Sequence, residues 1–94
     1  MKYNIDFTIN FKKQYRKLKK QGKDLNKLYE VIKKLANGED LDYKYKNHNL
    51  INVKKYKNCK ECHIEPDWLL IYKIIDEQLI LVLFSTGSHS ELFD

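Results

Sequence analysis

Proline occurs once in the 94 residues, at Pro66, and glycine three times. With no internal repeat, low-complexity segment or interdomain linker, one small domain over residues 1–94 is expected. No apolar run approaches the roughly 18 residues that cross a membrane. The opening Met1–Asp6 lacks the apolar core of a signal peptide, so the expected location is cytoplasmic. Cysteine occurs twice, as Cys59 and Cys62 in Cys59-Lys60-Glu61-Cys62-His63. The spacing matches a haem-attachment signature, but export is not signalled and Met1, the only methionine, leaves no axial partner. No second cysteine pair exists to close a zinc site, and a disulfide does not suit a reducing compartment. The two thiols are expected on opposite faces of a strand, as unrelated small residues, and neither metal nor cofactor is expected. Basic residues nearly vanish after position 60. Residues 61–94 hold one lysine against seven acids, a net of −6, whereas residues 1–60 hold seventeen Lys/Arg against six acids, a net of +11. A surface of that sign suits RNA or an acidic protein partner.

What is present patterns clearly. Tyr3–Phe7 alternates apolar and polar residues, predicting a half-buried first strand. Thr8 or Asn10 can cap a helix in which Phe11, Tyr15 and Leu18 make one stripe at i, i+4 and i+7. Lys12, Arg16, Lys19, Lys20 and Lys23 form a cationic ridge on another face. Gly22 stops that helix, and Asp24 caps a second with Leu25, Leu28, Ile32 and Leu35 on its stripe. Asn37-Gly38 ends it. The short connection predicts an antiparallel helix pair. Residues 39–49 read as a loop or irregular helical turn. Leu50–Tyr56 reads as a strand with a lysine-bearing exposed side. Glu65-Pro66-Asp67-Trp68 has the chemistry of a tight turn, followed by a strong strand, Trp68–Ile75. Leu79–Phe84 predicts a strand buried on both faces. The order β-α-α-β-β-β gives an α+β fold: two N-terminal helices packed on a small, mainly antiparallel sheet.

An antiparallel meander through the Pro66 turn would gather His63, Asp67 and His89 at one rim. Outer strands lie about 10 Å apart there, and long side chains could reach one phosphodiester between them. RNA is cut without metal when its 2′-hydroxyl attacks the adjacent phosphate. That needs a base, an acid and cations against the extra phosphorane charge. His48, His63 and His89, with Asp67, Glu65 and lysines, supply those roles. Phe93, one residue from the C-terminus, either docks as a plug or offers a platform for a base. Two readings stay open beside nuclease chemistry: a protein that binds its target without cutting, and a basic RNA- or partner-binding module.

Cys-His-Ile-Glu-Pro-Asp-Trp-Leu-Leu-Ile-Tyr-Lys (62–73) and Thr-Gly-Ser-His-Ser-Glu-Leu-Phe (86–93) closely resemble the YafQ branch of the RelE/ParE toxins. Asn47-His48-Asn49-Leu50 is similar to that branch's Asp-His-x-Leu segment, and Asp24–Leu28 to its second helix. The resemblance implies a RelE-like fold and a ribosome-dependent mRNA endonuclease that acts on mRNA in the decoding site. A cognate antitoxin of the DinJ/RelB kind would neutralise it. It implies catalytic positions at His48, His63, Asp67, His89 and Phe93. His89 would lead proton transfer, His48 and His63 would assist or hold the phosphate, Asp67 would orient or act as base, and Phe93 would position a base. Ser85 and Lys60 stand where the family often has arginine. Lys54, Lys55, Lys57 and Lys60 are the lysines expected to hold RNA in its place.

Overall fold

The computed structural model describes residues 1–94. Strand β1 (Asn4–Phe7) leads into helix α1 (Ile9–Lys20) and helix α2 (Leu25–Ala36). Then follow β2 (His48–Asn49), β3 (Lys60–Glu65), β4 (Trp68–Ile75), β5 (Ile80–Gly87) and a short helix α3 (His89–Phe93). The sheet order is β1-β5-β4-β3-β2. β1 runs parallel to β5, and every other pair is antiparallel. Thr8 caps α1 by accepting from Phe11 N, and Asp24 caps α2 by accepting from Asn26 N. Gly22 turns the chain at φ 75°, a conformation that costs a side-chain-bearing residue more.

Alternation along the strands sorts the sheet into two faces. Cys62, Ile64, Trp68, Leu70, Tyr72, Leu81 and Leu83 form one core with Phe11, Leu18, Leu28, Val31 and Leu35 of the two long helices. Leu69 and Ile71 point the other way and pack with Tyr56, Cys59 and Leu92. The two cysteines therefore lie on opposite faces, both buried and free. Burial pushes the Cys62 thiol up to about 12, which suits a packing residue and not a reactive one.

Four expectations are corrected. The strand buried on both faces is β4, where Trp68–Tyr72 are all buried. In β5 Ile80, Val82 and Phe84 are only half-buried, because α1 covers one side of it. Leu50–Tyr56 is not a strand. Extended pairing ends at Asn49, and Asn52 and Asn58 adopt left-handed φ of 60° and 61°. These residues fold the segment back through a 3₁₀ turn at Lys54–Tyr56, so that Tyr56 is buried against Leu92. β1 is not half-buried: Tyr3 is covered, but Ile5 and Phe7 are 40% and 51% exposed, since β1 is an edge strand. Finally, the chain closes with α3, which adds to the expected order.

Candidate active site

Register places two rows of side chains on the face away from α1 and α2. Glu61, Ile71 and Ser85 align across β3, β4 and β5, and His63, Leu69 and Gly87 form the next row. β2 sets His48 opposite Glu61. His48 Nε2 lies 3.0 Å from Glu61 Oε2, and His63 Nε2 lies 3.9 Å from the same oxygen. The carboxylate between them is only 7% exposed as a residue. Each imidazole is held at its other nitrogen by a backbone carbonyl: His48 Nδ1 donates to Lys46 O at 2.7 Å, and His63 Nδ1 to Pro66 O at 3.2 Å. Carbonyls only accept, so both Nδ1 atoms carry hydrogen. For His48 the second nitrogen also faces an acceptor, the Glu61 carboxylate.

The third imidazole arrives on α3. Ser88 and Glu91 form a capping box at its start, and Glu91 pairs with Lys17 of α1. Lys17, with the Ser88 amide and hydroxyl, lowers the Glu91 carboxyl to about 2. Leu92 anchors the helix in the second core at 0% exposure, and its carbonyl accepts from Tyr56 Oη at 2.8 Å and Lys55 Nζ at 3.3 Å. Asp67 Oδ1 accepts from the backbone N–H of His89 at 3.1 Å, tying the Pro66 turn to the helix start. The His89 ring lies against Phe93 with centroids 4.8 Å apart, and Phe93 meets Tyr56 edge-on at 5.5 Å. The ring nitrogens of His89 have no hydrogen-bond partner; its one bond is through the backbone.

Strand pairing thus brings His48 and His63 together through Glu61, and joins Asp67 directly to His89. His63 and Gly87, two strands apart in one row, are separated by about 10 Å of sheet. α3 continues from Gly87 over the same face. Phe93 docks, half-buried, instead of hanging free. Glu65 does not join the group. Lys27 holds it at 2.9 Å and Lys23 at 3.5 Å, and the Lys27 hydrogen bond keeps its carboxyl below the usual range. Lys54, Lys55 and Lys57 are exposed beside Tyr56, and Lys55 reaches α3. Lys60 shares strand parity with Cys62 and register with Tyr72, so it points to the helix-covered side of the sheet, away from Glu61. Ser85 is buried at 4% within the Glu61 row. Sequence reasoning missed Glu61. The Glu61-x-His63 alternation could have flagged it, since residues two apart on a strand share a face. No group of three or more His, Cys, Asp or Glu side chains is arranged to hold a metal ion; His48 and His63 aim at the Glu61 carboxylate itself.

Residues 3–94 match the family model described as "Bacterial toxin of type II toxin-antitoxin system, YafQ". The mRNA interferase toxin YafQ of Escherichia coli strain B is 36% identical over 91 residues, covering 96% of this chain and 95% of that protein. Among solved structures, a metal-bound toxin from Helicobacter pylori superposes with a TM-score of 0.90 at 42% identity, covering 97% of this chain and 99% of that one. The toxin chain of the E. coli DinJ–YafQ complex superposes at 0.87 with 35% identity, covering 98% and 99%. The chain belongs to the YafQ family of toxins. No helix is long and apolar enough to cross a membrane.

Proposed function

We propose that this chain is an mRNA interferase, a ribosome-dependent endoribonuclease of the cytoplasm that a cognate DinJ-like antitoxin holds inactive. The observation that carries the reading is that strand pairing sets His48 and His63 about Glu61 while Asp67 bonds to the backbone of His89, whose ring packs on Phe93, so that three separate stretches of chain contribute. In the proposed reaction the ribose 2′-oxygen attacks the adjacent phosphorus and the P–O5′ bond breaks. The products are a 2′,3′-cyclic phosphate and a 5′-hydroxyl. His89, whose ring nitrogens are free, hands a proton to the departing 5′-oxygen. His63, steadied by Pro66 O and Glu61, receives the 2′-hydroxyl proton. His48, held between Lys46 O and Glu61, faces the phosphate, and Lys55 sets positive charge against the phosphorane oxygens. Lysine acts as a point charge where the family often has arginine forks, so geometry rather than bidentate bonding must orient the phosphate. Asp67 positions His89 through its backbone N–H, and Phe93 packs against the His89 ring.

Induced expression tests the reading in cells. Wild-type protein should arrest growth with truncated mRNA, and His89→Ala should restore it. Equal toxicity of His89→Ala and wild type, or arrest with DNA damage and intact mRNA, would move the protein to the class of non-cutting binders.

The antitoxin needs a surface of its own. Ile5, Phe7 and Ile9 are 40%, 51% and 75% exposed along edge strand β1 and the start of α1. Lys12, Arg16 and Lys19 flank them around a groove floored by Phe11 and Tyr15. An exposed apolar patch rimmed by one sign of charge marks a protein interface, and this one fits an acidic, partly apolar segment that folds on binding.

A further inference from the structure

Resting on the nuclease reading above, we propose that the turn Tyr43–Lys46 is a subsite for a single-stranded RNA nucleotide flanking the scissile phosphate. Tyr43 stacks on its base, and Lys44 and Lys46 hold its phosphate. Tyr43 is 96% exposed, and its hydroxyl has no partner in the protein. An aromatic ring left wholly in water contributes nothing to the core and is free to stack on a base.

The turn that carries it is built, not loose. Asp42 Oδ1 accepts from Lys44 N at 2.9 Å, and Tyr43 O accepts from Lys46 N at 3.1 Å. Lys46 closes the turn at a left-handed φ of 49°. Tyr45 packs against the main core with Lys44 Nζ 5.2 Å from its ring centroid. Tyr72 Oη donates to Asn47 Oδ1 at 2.6 Å, fixing the exit. The last link runs to the active site: Lys46 O is the acceptor that holds His48 Nδ1. The turn is therefore bonded directly to a proposed phosphate-holding imidazole.

Beside the turn a groove of about 560 Å³ separates Lys44, Tyr45 and Lys46 from His63 and Ile64 on β3. Ligand sites commonly span about 300–1,000 Å³. Acids also line it, but Glu65 is neutralised by Lys23 and Lys27, and Asp24 is occupied capping α2. Glu30 remains on the α2 wall. Neither Lys44 nor Lys46 forms an ion pair. The free positive charge lies on the turn, and that wall is where a phosphate belongs. His63 is common to the candidate site and to this groove, so a strand held at His63 can reach both.

Single-turnover cleavage on ribosomes programmed with a short mRNA tests the subsite. Two further mRNAs carry an abasic residue immediately 5′ or 3′ of the cut. Tyr43→Ala should raise the half-saturating toxin concentration about tenfold and leave the maximal rate within about twofold, whereas Tyr43→Phe should match wild type. Lys44→Gln with Lys46→Asn, which keeps a residue suited to the left-handed φ, should weaken binding and flatten its salt dependence. One of the two abasic substrates should cost wild type about as much as Tyr43→Ala does, and cost Tyr43→Ala nothing more. Additive penalties in that cycle, or a Tyr43→Ala curve superimposed on wild type, would overturn the subsite while leaving the nuclease intact. A wild-type protein that cuts none of the three mRNAs would instead remove the nuclease reading on which the subsite rests.

Discussion

Glu61 carries two imidazoles on one carboxylate oxygen while being almost wholly covered. A buried carboxylate is costly unless paired and hydrogen-bonded, so its histidines stabilise it as much as it positions them. Glu61→Gln keeps the shape and removes the charge. Cleavage should fall by about tenfold or more with the melting temperature little changed, as measured on programmed ribosomes and by calorimetry. Unchanged cleavage would show that His48 and His63 need no anion between them. The histidines themselves were legible in the sequence because imidazole is scarce and chemically marked. Glu61 was not: one acid among thirteen gains meaning only when the β2–β3 register puts His48 opposite it. Lys60, expected among the lysines that hold RNA, stands on the other face of the sheet. It lies three positions before His63, and an odd separation on a strand reverses the face.

Among the elements, the five-residue α3 supplies two of the candidate site residues, His89 at its first position and Phe93 at its last. Five residues are too few to hold a helix unaided. Its stability comes from the Ser88 capping box, the buried Leu92 and the Lys17–Glu91 pair. Ser88→Ala should cost about 1 kcal/mol and lower cleavage by loosening His89. Glu91 also sets an acid dependence. Its folded carboxyl is lowered from the ordinary 4.5 to about 2, so its stabilisation is present above 4.5 and drains away as pH falls from there towards 2. Thermal melts between pH 5 and 2 should show a steeper loss for wild type than for Glu91→Gln; parallel slopes would exclude the pair as a stabiliser. Both long helices, their caps and the β3–β4 hairpin could be read from periodicity and turn chemistry. α3 could not, because a one-turn helix has no period to detect. The 50–59 segment deceived because Leu50, Ile51 and Val53 imitate a strand, while the two asparagines that bend it carry no hydrophobic signal.

Over the whole molecule, the proposed antitoxin surface and the His48 end of the candidate site lie at opposite edges of the sheet. Ile5 and Phe7 are on edge strand β1 and Ile9 opens α1, whereas His48 is on β2, the other edge. Phe7→Asp should therefore weaken antitoxin association about tenfold by titration calorimetry while leaving mRNA cleavage at the wild-type rate. Retained affinity would place the antitoxin elsewhere. The uneven charge was plain from composition, and it narrowed the partner to a polyanion or an acidic protein. Only the topology sets the apolar β1 edge apart from the histidine-bearing face.

The central claim is that imidazoles from β2, β3 and α3 act on one phosphodiester. Its most direct measurement is the cleavage of a ribosome-bound mRNA by wild type and His89→Gln, with the rate and the chemistry of both new ends determined. The account predicts a 2′,3′-cyclic phosphate and a 5′-hydroxyl, and a rate for His89→Gln lower by about 10² or more. A 3′-hydroxyl with a 5′-phosphate, or equal rates for the two proteins, would contradict it.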